Sequence, residues 1–199
     1  MSFEFKKCMI DQIEIPSLYE IQPQVFTDKR GCTFEVYSEK EFFQAGLKMK
    51  FLQDNQSSSV KGVLRGLHFQ TRHPQGKLVR AVSGRVYDLA LDLRKTSPAF
   101  GKYYGVILDS EKQNQLYIPE GFAHGFYVLS DTAVFSYKCT DFYDPEGEGG
   151  LMWNDPAIGI DWKALIGDTN PVISEKDKNH PAFNINENYF DINGKWIGD

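Results

Sequence analysis

The sequence predicts an all-β domain, a sandwich or barrel of jelly-roll type, on three observations. Short runs rich in aromatic and β-branched residues recur along the chain, punctuated by Gly and Pro. In "RVYDLALDLR" the side chains alternate with period two: Tyr87, Leu89, Leu91 and Leu93 share one face, Val86, Asp88, Ala90 and Asp92 the other. Long helical periodicity is scarce. Many short strands separated by turn signals are the pattern of such folds.

The elements follow in chain order. "SEKEFFQAG" (38–46) reads as a short helix, with Ser38 as cap, Glu41 three residues on and Gly46 as terminator. "VLRGLHFQ" (63–70) reads as a strand, although strict alternation puts His68 and Gln70 on one face and Arg65 on the other. "KLVRAVSGRVYDLALDLR" (77–94) reads as two strands joined by a hairpin turn at Ser83-Gly84. "KYYGVILD", "NQLYIPEGFAHGFYVLS" and "AVFSYKCTDFY" supply further short, aromatic-rich strands. Residues 160–199 read as irregular, with at most short helices. There is no internal repeat, low-complexity tract or linker, so residues 1–199 are read as one domain.

Composition narrows the function classes. With 199 residues, 41% hydrophobic and 25% charged, the chain can bury one ordinary core. A net charge of −5 argues against a general nucleic-acid binder but leaves room for a small anion held by a local Arg/Lys cluster. "MSFEFKKCMI" lacks the apolar region and cleavage site of a signal peptide, and no apolar window is long enough to cross a bilayer. Cys8, Cys32 and Cys139 are scattered, with no CxxC pair, which points to reduced thiols. A cytoplasmic protein without membrane or nucleic-acid partners is expected.

His68 invites a test for metal. A His-x-His strand pair is absent, because position 70 is Gln70. Of the remaining histidines, His73, His124 and His180, only His124 sits in a segment able to line a barrel interior with His68. Two ligands without a third make a poor site, so neither metal nor other cofactor is expected.

"GVLRGLHFQ", "PQGKLVRAVSGRVYDLALDLR", "SPAFGKYYGVILDSEKQNQLYIPEGFAHGFYVLSD", "YKCTDFYDPEGEGG" and "WNDPAIGIDW" appear in this order, preceded by "FTDKRGCTFEVY" and "FLQDNQSSS". Together they resemble the dTDP-4-dehydrorhamnose 3,5-epimerases, a metal-free branch of the cupin jelly-roll proteins. The resemblance runs from about residue 5 to about residue 180. It implies inversion at C3 and C5 of a dTDP-4-keto-6-deoxy sugar, in dTDP-L-rhamnose biosynthesis. The protons at both carbons are acidified by the C4 ketone, so the reaction needs a base, a stabiliser for the enolate oxygen and an acid on the opposite face.

The resemblance also assigns roles by position. His68 matches the catalytic base, Asp177 its carboxylate partner and Tyr137 the acid; Lys77 and His124 match residues around the sugar. Arg65 matches a pyrophosphate contact, and Tyr143 and Glu148 match nucleotide contacts. Phe26, Arg30, Glu35, Gln53 and Asn55 match the nucleotide and sugar site, with the N-terminal ones reaching the neighbouring subunit's pocket, which implies a homodimer. If Arg65 and His68 share a pocket, Gly66 must break the alternation by a bulge or twist.

Each residue also has a structural reading. Tyr137 shares a face with Phe135 and Cys139, as a core tyrosine does, and Asp177 lies three after Ser174, as in a helix cap. Two departures stand out: Cys32 where the family commonly has a bulky aromatic, and Gly149 where arginine is frequent. Single-site C3 or C5 epimerases share the same motifs and remain an alternative, as does a non-catalytic or metal-binding cupin.

Overall fold

Two antiparallel sheets face each other in the computed structural model, which describes residues 2–198. The strands are β1 (Phe3–Ile10), β2 (Ile13–Pro23), β3 (Phe26–Asp28), β4 (Gly31–Thr33), β5 (Gln53–Val60), β6 (Leu64–Gln70) and β7 (Lys77–Ser83). They continue with β8 (Arg85–Asp92), β9 (Tyr103–Asp109), β10 (Gln115–Ile118), β11 (Phe122–Val128), β12 (Thr132–Cys139) and β13 (Glu148–Gly150). The six-stranded sheet runs β1-β2-β10-β7-β12-β5 and the five-stranded sheet β13-β6-β11-β8-β9, while β3 and β4 form a separate hairpin. Three short helices complete the chain: α1 (Glu39–Gln44), α2 (Trp162–Ile166) and α3 (Glu175–Lys178). This is the expected β-rich jelly-roll architecture, and no described helix is long and apolar enough to cross a membrane.

Alternation along each strand sorts side chains into three apolar layers. Between the sheets, Leu18, Val79, Val86, Ala90, Leu116, Phe126 and Phe135 form the central core. Outside the five-stranded sheet, Leu67, Leu89 and Leu91 are covered by the C-terminal segment through Leu151, Trp162, Phe183 and Phe190. Outside the six-stranded sheet, Ile21, Leu78 and Tyr117 are covered by Phe42 and Leu47. The face of Leu89 and Leu91 and the face of Val86 and Ala90 therefore divide as the alternation predicts.

Two local expectations need correction. Ser83-Gly84 is not a hairpin turn, because β7 pairs with β10 and β12 while β8 pairs with β9 and β11. A register shift between β12 and β7, from Val134↔Ser83 to Phe135↔Ala81, and the positive φ of Gly84 (77°) turn the chain into the facing sheet. Helix α1 lacks the capping box: Ser38 makes no side-chain cap bond, and Glu41 Oε2 accepts from the Ser2 backbone N–H at 2.7 Å instead. The helix is held by Phe42, packed edge-on against Phe3, Phe5 and Tyr37. The 160–199 stretch is irregular as expected, with α2 and α3 as its helical turns.

Candidate active site

A cavity of about 520 Å³ opens between the sheets, lined from the five-stranded side by Arg65, His68 and His124 and from the six-stranded side by Ser57, Lys77 and Tyr137. Glu148, Lys176 and Asp177 close part of its wall. A second hollow of about 330 Å³ shares His68, Lys77, Tyr137 and Glu148 and adds Gln53, Asn55 and Tyr143. Three paired strands present their inward rows here: Asn55 lies opposite Tyr137, and Lys77 opposite Cys139. The inward row of β5 is wholly polar (Gln53, Asn55, Ser57 and Ser59), so this end of the interior has a polar lining where the rest is apolar.

The bulge expected at Gly66 is present. On β6 and β11, His68 pairs with His124 but Arg65 pairs with Phe126, so the register slips by one residue between them. Gly66 has φ +135°, and a Cβ there would lie 2.6 Å from Gly125 Cα. Only glycine permits that backbone approach, and the slip is what brings Arg65 and His68 to one cavity.

His68 Nε2 lies 2.9 Å from Asp177 Oδ1, across 109 residues of chain. A carboxylate only accepts, so Nε2 carries the proton and Nδ1 the lone pair. Burial alone would raise the Asp177 pKa. Hydrogen bonds from His68, the Gly66 backbone N–H and Ser174 outweigh it and hold the carboxyl below the usual range. Asp177 also fills the cap role: its backbone N–H donates to Ser174 Oγ at 3.1 Å, which orients α3.

Tyr137 is half-buried, and burial raises its pKa above that of a free phenol. Lys77 is enclosed by protein yet reached by the cavity; burial lowers its pKa despite the pull of Cys139, Asp88 and Glu148. Burial would raise the Glu148 carboxyl, but Lys176 and Tyr143 bind it and hold it low.

Four residues join the site that sequence reading did not single out. Asp88 is fully buried and lies 2.8 Å from His124 Nε2. Its signal was present: a carboxylate between Val86 and Ala90 on an inward face needs a buried partner. Lys176 pairs with Glu148 at the cavity wall. Ser57 Oγ is buried without a hydrogen-bond partner. His180 packs edge-on against the His68 ring, and its Nε2 lies 3.7 Å from Asp177 Oδ1. The sequence offered only its i, i+3 spacing from Asp177.

Three expected site residues lie elsewhere. Phe26 and Arg30 sit on the β3–β4 hairpin, where Arg30 makes a bidentate pair with Asp28, and Glu35 follows it; all three are exposed and none lines the cavity of this chain. Cys32 and Thr33 line a separate hollow on the same hairpin.

The family model described as dTDP-4-dehydrorhamnose 3,5-epimerase matches residues 12–184. The chain belongs to the dTDP-4-dehydrorhamnose 3,5-epimerase family. It is 48% identical to a dTDP-4-dehydrorhamnose 3,5-epimerase of Methanothermobacter thermautotrophicus, over 94% of this chain and 98% of that one. Among solved structures, a family member from Elizabethkingia anophelis is similar at 50% identity and TM-score 0.82, covering 90% of this chain and 96% of that chain. A Legionella pneumophila epimerase solved with dTDP-4-keto-L-rhamnose is similar at 43% identity and TM-score 0.83, covering 90% and 92%. The epimerase family thus accounts for the jelly-roll fold around the His68 cavity.

Proposed function

We propose that the chain converts dTDP-4-dehydro-6-deoxy-D-glucose to dTDP-4-dehydro-L-rhamnose, inverting C3 and C5 through enolates. The observation that carries this is the placement of His68 and Tyr137 on facing sheets around one cavity, with Lys77 in the same lining. That is the layout for removing a proton from one face of a sugar ring and returning one to the other.

His68 Nδ1 takes the proton α to the ketone. Asp177 fixes the tautomer and, held ionised, stabilises the imidazolium that forms. Lys77 sits in a desolvated place without an ion-pair partner among the described residues. Its charge is completed only when negative charge grows on the C4 oxygen, which favours the enolate over the ketone. Tyr137, kept protonated by its raised pKa, returns the proton. His124, fixed by Asp88, and Ser57 contact the sugar hydroxyls.

Arg65, exposed at the cavity edge and donating to Ser59, holds the diphosphate; Gln53, Asn55, Tyr143 and Glu148 receive the nucleoside. The β3–β4 hairpin carries Phe26, Arg30 and Glu35 to a second subunit's cavity, so the working form is a homodimer.

Turnover in heavy water tests the reading. Double epimerisation places deuterium at both C3 and C5; label at one carbon alone makes the chain a single-site epimerase instead.

A further inference from the structure

The His68–Asp177 pair has a third neighbour that the proposed reaction does not use. His180 lies beside it, its Nε2 buried, without a hydrogen-bond partner among the described residues, and 3.7 Å from Asp177 Oδ1. His68 Nε2 is 2.9 Å from the same oxygen, and the three ligand atoms all lie within 4.8 Å of one another. Gly150 makes this possible: it pairs with His68 across β13 and β6, and a Cβ on it would lie 2.4 Å from His180 Nε2. The backbone has yielded space so that a second imidazole can point at the dyad.

We propose that His68, Asp177 and His180 form an inhibitory site for a divalent transition-metal ion, zinc(II) foremost. Two imidazoles and a carboxylate are borderline ligands of the kind zinc prefers, at bonds of about 2.0–2.2 Å. Tetrahedral bonds of that length set ligand atoms roughly 3.3 Å apart, a value that the 2.9 and 3.7 Å separations at Asp177 Oδ1 bracket, so turning the two imidazoles about that oxygen closes the site. His68 borders the cavity, which leaves the fourth position to water.

The inhibition follows from the tautomer and rests on the reading of His68 as base. In the free enzyme the His68 proton is on Nε2 and the lone pair on Nδ1. Zinc takes the Nε2 lone pair, so the ring's one proton moves to Nδ1, the atom that must accept the substrate proton. No proton, electron or bond is lost from the chain. Zinc likewise occupies the Asp177 oxygen that would stabilise the imidazolium.

The test titrates the full-length protein with cobalt(II), followed by its visible d–d bands, and with zinc(II) by calorimetry in a buffer that does not chelate. One equivalent is expected, with turnover falling in step and returning on EDTA. His180→Ala is read by metal affinity rather than by turnover, because His180 packs against the His68 ring. The variant's metal affinity should fall by at least about 100-fold, the upper end of what losing even an outer partner of a metal ligand costs. Absence of binding, or equal zinc binding by His180→Ala, overturns the site. Binding that leaves turnover intact overturns the inhibitory role. No turnover in either protein without metal counts against the proposed reaction rather than the site.

Discussion

His68–Asp177 and His124–Asp88 are the same chemical pair, at 2.9 and 2.8 Å, with the two histidines opposite each other on neighbouring strands. Their surroundings differ. The His68 side chain is 30% exposed and that of His124 9%. Asp177 receives hydrogen bonds from His68 and a backbone N–H, and its pKa is lowered. Burial raises the pKa of Asp88, His124 and Lys77 pull it back only in part, and its Oδ1 is left without a partner. The first pair keeps a firm negative charge beside a ring that opens to the cavity; in the second a deeply buried carboxyl supports a ring that shows only its edge to the same cavity. The two carboxyls differ because donors outweigh burial at Asp177, whereas burial outweighs the pull of the partners at Asp88.

The comparison is broken most directly at His68. His68→Ala should lower epimerisation by roughly 10⁴-fold, the upper range for a general base, while dTDP still binds by calorimetry. The matching change at His124 should cost far less turnover. Equal losses would mean that the two pairs share the work.

Asp177→Asn and Asp88→Asn sharpen the contrast. The amide at 177 donates where the carboxylate accepted, which pushes the His68 proton to Nδ1; a loss of up to about 10⁴-fold in kcat is expected by analogy with triad carboxylates. Asp88→Asn should lower kcat by only about 10-fold. Asp88→Ala leaves His124 buried and unpaired, costing about 1–3 kcal/mol in urea unfolding. A larger kcat loss from Asp88→Asn than from Asp177→Asn would reverse the assignment of the two pairs.

Tyr137→Phe should slow net inversion by roughly 100-fold, and exchange of deuterium from labelled substrate should outlast epimerisation, because proton removal survives and return fails. Parallel loss of both would make Tyr137 a structural residue.

The smallest effect is one of pH. Because burial lowers the Lys77 pKa, its ammonium discharges below the lysine reference of about 10.4, so kcat should fall on the alkaline side earlier than an ordinary lysine allows. Tyr137 titrates above its reference and does not set this limb. Lys77→Arg, always charged, should move the limb upward; an unchanged limb would assign it to another group.

Much of this was legible in the chain. Period-two alternation separated Leu89 and Leu91 from Val86 and Ala90 correctly, because each residue's face is fixed by its own backbone. The resemblance to the family's motifs assigned His68, Lys77, His124, Tyr137 and Glu148 to the site, and all five line one cavity. Asp88 was grouped with Val86 and Ala90 on one face but not recognised as a site residue, because its partner His124 lies on another strand.

The chain read alone carried local information: most strands from residue 64 onward but not β1 to β5, the face each side chain takes in them, and, once the family resemblance put Arg65 and His68 in one pocket, a break at Gly66. What only the tertiary structure decided was long-range. It sent β7 and β8 to different sheets, set the β6–β11 slip, brought Asp177 to His68 across 109 residues, seated His180 over Gly150, and left the β3–β4 hairpin outside the cavity. Alternation follows from each residue's own stereochemistry, whereas strand partners and chain-end docking are chosen by how the apolar layers close over one another. That choice is written in the whole chain and in no single window of it.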